Sequence, residues 1–288
     1  NFTIDFGNVG LKNILYYADR YEFLDKDWDG TPASIVQAYR GDETDSFYTE
    51  TQLYGDLFEE RLDWRVGFVY GNDDSHSDSS QTVFPMPVSL TAPRRTITDL
   101  DYTTTAIFGT VSYDLSALLQ GLTATAGYRY TWDERSADLQ AYSGQPTQFC
   151  ALQVLPVPAT GPVYEAGVDP ATCTRPATLK FEDDNYNLTL DWKATDSILL
   201  YAATRKGYKS GSFNLIVVDP AIASYDPEII EDIEIGLKAD WSLGNVPIRT
   251  NIAYFDADYT DIQTSFTVVD TVLGTVAAAT QFWALLPE

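Results

Sequence analysis

The chain has 288 residues, with 42 Asp and Glu against 18 Lys and Arg, so its formal net charge at pH 7 is -24. Such a surface repels nucleic acid phosphates, and DNA and RNA are therefore not expected partners. The 19 Tyr, 14 Phe and 6 Trp favour strands over helices. No apolar run is long enough for a transmembrane helix, although that test does not detect membrane-spanning strands.

Alternating apolar and polar residues predict strands from one end of the chain to the other. In chain order they lie near 11–18, 46–57, 62–71, 100–114, 122–135, 179–192, 198–206, 228–242 and 247–262, with a tenth near 275–283. Long linkers at 19–45, 72–99, 136–178 and 207–227 alternate with short ones at 58–61, 115–121, 193–197 and 243–246. This alternation predicts an antiparallel up-and-down meander, with tight turns at one end and large loops at the other.

The predicted strands have one apolar and one polar face. In 122–132 the apolar face carries Leu122, Ala124, Ala126, Tyr128, Tyr130 and Trp132. Windows of about 10 to 15 residues match the length that a tilted strand needs to cross a bilayer. Trp132, Trp192 and Trp241 lie at or near the ends of apolar stripes, where an interfacial aromatic girdle would place them. The sequence therefore predicts that lipid contacts the apolar face.

Three segments resemble the TonB-dependent receptor family, the ligand-gated transporters of the Gram-negative outer membrane. YAATRKGYKSGSFN (201–214) resembles the family's strand leading into a GY-K/R-SGG-FN loop, with Ser212 in place of the second Gly. YDPEIIEDIEIGLKADW (225–241) is similar to its Pro-Glu and E-x-G-x-K pattern, and AYFDADYTDIQ (253–263) to its F-x-x-D-Y-x-D-x-Q strand. YTETQLYG (48–55) and DWRVGFVYG (63–71) resemble the first half of such a barrel.

The resemblance implies an all-β, antiparallel up-and-down transmembrane β-barrel, present here as about nine or ten strands of a barrel that has about 22 in full members. No plug domain or TonB box is recognisable, so residues 1–288 are expected to be one partial barrel domain. The resemblance also implies the outer membrane of a Gram-negative bacterium, contact with its lipid, and binding of a scarce solute such as a ferric siderophore. TonB would act through a plug domain outside this chain. No cofactor is expected.

Four cations are candidates for a binding role on the polar face, namely Arg65, Arg129, Lys180 and Lys238. They are predicted to face the lumen, where they could contact an anionic ligand or the acidic faces of a plug. Pairing with barrel carboxylates is the alternative.

Metal sites are weakly indicated. DKDWDG (25–30) matches the opening of a calcium loop, which makes Asp25, Asp27 and Asp29 candidate cation ligands. Position 12 of such a loop would be Val36 instead of a bidentate Glu, and a solvated acidic loop is the alternative. His76 is the single histidine and is predicted to be an exposed loop residue, so a His-based metal centre cannot be assembled.

Cys150 and Cys173, the two cysteines, lie in a polar, Pro-rich segment, which predicts a loop disulfide in an oxidising compartment. Such a bridge would contribute about 3 kcal/mol in the chain-entropy model. Two free thiols are the alternative. GYKSG (207–211) is neither a phosphate loop nor a nucleophile elbow, and Glu182, Asp183 and Asp184 are interpreted as a solvated rim. No catalytic residues are predicted.

Other function classes are open at this point. A plug-less, porin-like outer-membrane channel would share the barrel, and a plug encoded upstream would exclude it. A secreted all-β module that binds carbohydrate or calcium would be soluble without detergent and would melt at a calcium-dependent temperature. A hydrolase is the third alternative.

Overall fold

The computed structural model describes residues 1–27, 30, 32, 36–83, 94–143, 149–150, 173–214, 223–270 and 275–281. In this part of the chain no helix is long and apolar enough to cross a membrane. The last two residues of the predicted tenth strand, 282–283, lie outside the described residues.

The described residues form strands throughout. They are β1 Phe2–Asp5, β2 Val9–Asp27, β3 Val36–Leu57, β4 Leu62–Val83, β5 Arg94–Asp114, β6 Leu122–Ser143, β7 Phe149–Cys150, β8 Thr174–Thr195, β9 Ile198–Lys209, β10 Ser212–Phe213, β11 Ser224–Tyr225, β12 Glu228–Leu243, β13 Val246–Thr260, β14 Thr264–Asp270 and β15 Thr275–Gln281.

One antiparallel sheet contains most of these strands, in the order β1-β2-β3-β4-β5-β6-β8-β9-β12-β13, with β7 paired to β6. The long strands that follow each other along the chain are therefore neighbours in this sheet. The hairpins β10-β11 and β14-β15 form separate two-stranded sheets. Within the described residues β1 and β13 do not pair, so the main sheet is open. The prediction of an all-β, up-and-down, partial barrel is confirmed.

The predicted long loops are wrong over much of their length, because the strands are longer than the apolar windows. Strands β2 to β6 and β8 have 19 to 22 residues each. The extra strand segments are 19–27, 36–45, 72–83, 94–99, 136–143 and 174–178. The apolar alternation of the predicted windows does not continue into these segments. In β6, for example, the apolar residues at 137, 139 and 141 occupy odd positions, whereas those of 122–132 occupy even positions. The strands nevertheless continue, because pairing with at least one neighbouring strand continues.

The register assigns each residue of the sheet to one of two faces, because directly opposed residues point to the same side. We name as the outer face the one that carries the opposed residues Phe68, Ile107 and Tyr130, and as the inner face the other. Large hydrophobic side chains are exposed on the outer face, including Leu53, Val66, Leu188, Ile235 and Ile252. The buried side chains described in β3 to β6 all lie on the inner face: Gln52, Val69, Thr98, Ala106, Thr131, Asp133, Ala137, Leu139 and Ala141.

The outer face has an apolar band that begins at the short turns and ends at a row of acidic side chains. This row, which we name the carboxylate girdle, is formed by Asp19, Asp45, Asp74, Asp101, Glu134, Asp184, Glu231 and Asp256. Lys206 lies at the same level and pairs with Asp184 at 2.6 Å. Between the turns and the girdle, the described outer-face positions of β2 to β13 carry no charged residue.

Aromatic rings cover glycines on the inner face. In three pairs of directly opposed residues a ring occupies the space that a Cβ would need: Gly10 with Tyr54, Gly67 with Phe108, and Gly236 with Tyr201. A ring lying over a glycine replaces the missing side-chain contacts of the strand and fixes its register. These glycines are therefore part of the packing of the inner face.

We expect Gly236→Ala to lower the free energy of unfolding by about 1–3 kcal/mol, the range for overpacking. The new Cβ would overlap the Tyr201 ring and displace its hydroxyl, which donates a hydrogen bond to Glu234 Oε1 at 2.6 Å. Gly109→Ala is the matched control, since its nearest neighbours would be 3.7 Å away. Denaturant unfolding of both variants is the measurement, and equal stability of the two would contradict this packing role.

Candidate functional site

A cleft of about 800 Å³ opens on the inner face. Its inner-face lining includes Glu50, Gln52, Arg65, Phe108, Thr110, Gly127, Arg129, Asn185, Asn187, Arg205 and Asp232. We name it the inner cleft. Gly127 forms part of its floor opposite Thr110, and a Cβ at Gly127 would lie 3.4 Å from the Thr110 hydroxyl. A larger residue at Gly127 would therefore reduce the depth of the cleft.

One wall of the inner cleft is an ion-pair network. Arg205 and Asp232 are directly opposed on β9 and β12, and Arg205 Nε donates to Asp232 Oδ1 at 2.9 Å. The same guanidinium contacts Glu234, which also accepts the Tyr201 hydroxyl. Two carboxylates therefore hold Arg205 in place, and its charge is neutralised within the wall.

The predicted binding residues Arg65 and Arg129 both line the inner cleft. Arg129 Nε donates to the Thr131 hydroxyl at 3.1 Å, and Arg65 is exposed on β4. The carboxylate of Glu50, on the neighbouring strand β3, accepts hydrogen bonds from Tyr48 and Gln52. Neither arginine lies within 4.0 Å of a carboxylate in the described part of the chain, unlike Arg205. They can therefore present positive charge to a group in the cleft.

Lys238 lies on the inner face but does not line the inner cleft. Its ammonium is 5.2 Å from the centroid of the Tyr201 ring, a cation–π distance. Lys238 therefore contacts the ring that covers Gly236.

The prediction that Lys180 faces the lumen is wrong. The pairing of β8 with β6 runs without a bulge from Thr174 to Trp192, so Lys180 shares the outer face with Leu188 and Leu190. It is directly opposed to the girdle residue Glu134, whose Oε2 lies 2.9 Å from the Lys180 ammonium. Counting alternate residues along β8 from the apolar stripe gives the face on which Lys180 lies.

The predicted calcium loop is strand at its first two candidate ligands. Asp25 and Asp27 are exposed in β2, opposite Tyr39 and Gln37. Alternate side chains of an extended strand are about 6.6 Å apart and do not converge as they do in a calcium loop. Asp29 lies outside the described residues. The described residues contain no group of three or more potential metal ligands.

His76 was predicted in a loop and instead lies in β4, beyond the carboxylate girdle. It is directly opposed to Asp99 on β5 and to Glu43 on β3. Its Nδ1 lies 2.6 Å from Asp99 Oδ1. This hydrogen bond to Asp99 raises the pKa of His76 above its usual value, although partial burial opposes the shift.

A disulfide joins Cys150 to Cys173 across 23 positions of sequence, with their Cα atoms 5.4 Å apart. Cys150 pairs with Tyr142 near the C-terminal end of β6, and Cys173 directly precedes β8. Both residues are buried. The bond therefore ties together the far ends of two neighbouring long strands.

A second polar cluster was not predicted from the sequence. Asp133, on the inner face of β6, is 5% exposed and accepts hydrogen bonds from Thr104 and from the Tyr208 hydroxyl, the latter at 3.1 Å. Arg135 Nη2 lies 3.5 Å from Asp133 Oδ1. The sequence shows two opposite charges at alternate positions of the polar face, Asp133 and Arg135. It does not show which residues elsewhere in the chain contact them.

Comparison with a family model gives a match over nearly the whole chain. The model is described as TonB dependent receptor-like, beta-barrel, and it matches residues 1–282.

Comparison with solved structures also gives matches. The chain is similar to the ferric yersiniabactin uptake receptor FyuA from Yersinia pestis, with a TM-score of 0.67 at 12% identity, covering 91% of this chain and 35% of that one. The alcaligin outer-membrane receptor FauA from Bordetella pertussis matches at 10% identity with a TM-score of 0.28, covering 96% and 52%. A double mutant of the Serratia marcescens hemophore receptor HasR, in complex with its hemophore HasA and heme, matches at 9% identity with a TM-score of 0.30, covering 94% and 56%. The chain thus spans little more than half of these receptors at most.

We expect Asp99→Asn to lower the pKa of His76 towards the ordinary value of 6.5. Because the pKa of His76 is higher in the folded than in the unfolded protein, the pair of His76 and Asp99 stabilises the fold fully at pH values below the unfolded pKa. This stability is lost as the pH rises through the folded pKa. The measurement is an NMR titration, in which the single histidine gives one assignable ring signal. Asp101→Asn, two positions away on the same face, is the control. A His76 midpoint at or below 6.5 in the parent would contradict the assignment.

Proposed function

The chain belongs to the TonB-dependent receptor-like β-barrel family, and we propose that it forms part of the barrel wall of a receptor in the outer membrane of a Gram-negative bacterium. The receptor would bind a scarce solute, of which a ferric siderophore is the proposed class. TonB would drive import by acting on a plug domain outside residues 1–288. The family is one of transport receptors and is not an enzyme family.

The observation that carries this proposal is the contrast between the two faces of the same strands. The apolar band of the outer face has no charge in the described strands, whereas the inner face at the same level carries Lys12, Glu50, Arg65, Arg129, Asp191, Arg205, Asp232, Glu234 and Lys238. Hydrocarbon accepts apolar side chains and requires every backbone group to be paired within the sheet. The polar inner face suits a hydrated lumen.

The boundaries of the band support the same orientation. Trp192 and Trp241 lie near the short turns, and Trp132 lies two positions from the girdle residue Glu134. Aromatic side chains prefer the two membrane interfaces, where the ring is dry and the polar edge is wet. The apolar band would therefore span the hydrocarbon, and the polar strand extensions would rise above the girdle into water.

The proposed solute class rests on the inner cleft and on the family. Arg65 and Arg129 present positive charge in a chain that is acidic overall. They can bind an anionic group, such as a carboxylate of a ferric siderophore. FyuA is a ferric yersiniabactin uptake receptor and shares the fold of this chain. An acidic side chain of a plug domain is the other anionic group that would fit.

Of the alternatives, a secreted all-β module is disfavoured by the apolar band. Outer-face side chains such as Ile233, Ile252 and Tyr254 are more than half exposed, and a water-soluble protein rarely exposes so large an apolar surface. A plug-less, porin-like channel would have the same wall. It differs in that solute entry would not require TonB.

We expect Leu188→Arg to destabilise the wall by about 2–4 kcal/mol in phospholipid vesicles, because it places a charge in the apolar band. The matched control is Thr189→Arg, the next residue of β8, which points to the inner face and should change stability little. Denaturant unfolding in vesicles is the measurement. Equal effects of the two variants, or a parent chain that remains monomeric in buffer without detergent, would refute lipid contact.

We expect Arg129→Gln or Arg65→Gln to weaken binding of an anionic ferric siderophore by the intact receptor about tenfold, the loss of roughly one charged hydrogen bond. Lys180→Gln is the control, since Lys180 lies on the outer face and should leave the affinity unchanged. Titration calorimetry with a panel of ferric siderophores would measure the effect. Unchanged affinity in both arginine variants would assign the inner cleft to contact with a plug domain or to structure alone.

A further inference from the structure

The ladder between β8 and β9 stops halfway along β8. Strand β9 pairs with β8 only as far as the pair Tyr186–Lys206, whereas β8 continues to Thr174 paired with β6. Beyond Lys206, β9 pairs with β12 up to Lys209 and Glu228. The part of β8 before Tyr186, residues 174–185, therefore has an open edge within the described residues. It contains Pro176 and Lys180, and proline and lysine are the residue types that protect open edges from pairing.

The chain after β9 folds back beside this open edge. We name its two arms, Ser210–Asn214 and Ala223–Asp226, the strap. The arms pair with each other through Ser212 and Tyr225, and Asn214 N donates to Ala223 O at 2.8 Å. The strap contacts the inner face of β8 at Phe181, because a Cβ at Gly211 would lie 2.7 Å from Phe181 Cζ. Glycine is therefore required for this close approach.

Side chains of β5 and β6 hold the strap from the inner face. The Tyr102 hydroxyl hydrogen-bonds to the Ser212 hydroxyl at 3.1 Å, and Arg135 Nε donates to Ser210 Oγ at 3.4 Å. The Arg135 guanidinium also lies over the Tyr102 ring, 4.6 Å from its centroid. Arg135 therefore contacts both a wall residue and the strap.

Asp133 fixes the position of Arg135. It is buried, its Oδ1 lies 3.5 Å from Arg135 Nη2, and its Oδ2 accepts the Tyr208 hydroxyl at the point where the strap begins. A buried carboxylate needs such partners, since burial of an unpaired charge is costly. From the other side, Gln263 Nε2 donates to Ser210 O and Asp226 O at 3.0 and 3.1 Å.

We propose that Asp133 and Arg135 form a latch that holds the strap over the gap between β8 and β9. Removing the negative charge of Asp133 releases the strap. The latch is a conformational device of the wall, and it requires neither a particular solute nor TonB. With the latch closed, the strap covers the inner side of the gap. With the latch open, the gap connects the inner and outer faces above the girdle.

The test is hydrogen exchange of the strap amides in the intact protein carrying Asp133→Asn. The matched control is Glu134→Gln, which removes the adjacent carboxylate of β6 on the outer face. We expect exchange at residues 210–214 and 223–226 to be about tenfold faster in Asp133→Asn, corresponding to the loss of roughly one charged hydrogen bond, and to be unchanged in Glu134→Gln. Unchanged exchange in Asp133→Asn, or an equal increase in both variants, would overturn the proposal.

A covalent lock distinguishes release of the strap from general loss of structure. In the Asp133→Asn background, Tyr102→Cys and Ser212→Cys are joined by a short bifunctional thiol reagent, in place of the hydrogen bond between these two side chains. We expect the joined protein to regain slow exchange, whereas Tyr102→Cys alone treated with the same reagent stays fast. Fast exchange in the joined protein would mean that Asp133 supports the fold and not the latch.

Discussion

The requirement that backbone polar groups be paired within the sheet governs the described part of this chain. An antiparallel ladder meets the requirement for a strand of any composition, which leaves the side chains free to divide between two environments. The consequence is the separation of faces seen around Leu188 and its neighbours Asn187 and Thr189, where successive residues of β8 lie on the outer and the inner face in turn. Where the ladder between β8 and β9 ends, at Tyr186 and Lys206, the strap makes additional contacts with the wall in the described residues.

The sequence predicted the part of each strand in which the two environments differ. For the stretch 122–132 the alternation gave the correct face for every residue, because its apolar side chains all fall on the outer face. It did not predict the continuation of the same strand to Ser143, where the apolar residues Ala137, Leu139 and Ala141 are buried on the inner face instead. His76 was predicted in a loop and pairs in β4, in a segment of polar residues that has no apolar alternation. Polar extensions of strands are specified by their neighbours across the sheet, which a single sequence does not reveal.

The candidate site shows the same limit at finer scale. Arg65 and Arg129 alternate with the residues of an apolar stripe, so the alternation places both on the inner face. Lys180 lies away from the apolar stripe of β8, and its face follows only from counting alternate residues from Leu188. Which cations are already neutralised depends on cross-strand partners. Arg205 opposes Asp232 directly, and nothing in the spacing of either segment indicates that register. The sequence therefore indicates the side of the sheet on which a charged side chain lies more readily than the residue with which it pairs.

The distribution of charge follows from the cost of burying it. At the carboxylate girdle Asp74 is directly opposed to both Asp45 and Asp101, an arrangement that repels along a row of three strands. Water screens such repulsion, so the row is tolerated where the apolar band ends and would be prohibitive within it. In the described residues, negative charge therefore lies on the inner face or outside the apolar band. Because cations are scarce among these carboxylates, an arginine of the inner cleft with no described carboxylate within 4.0 Å is more informative than any acidic cluster.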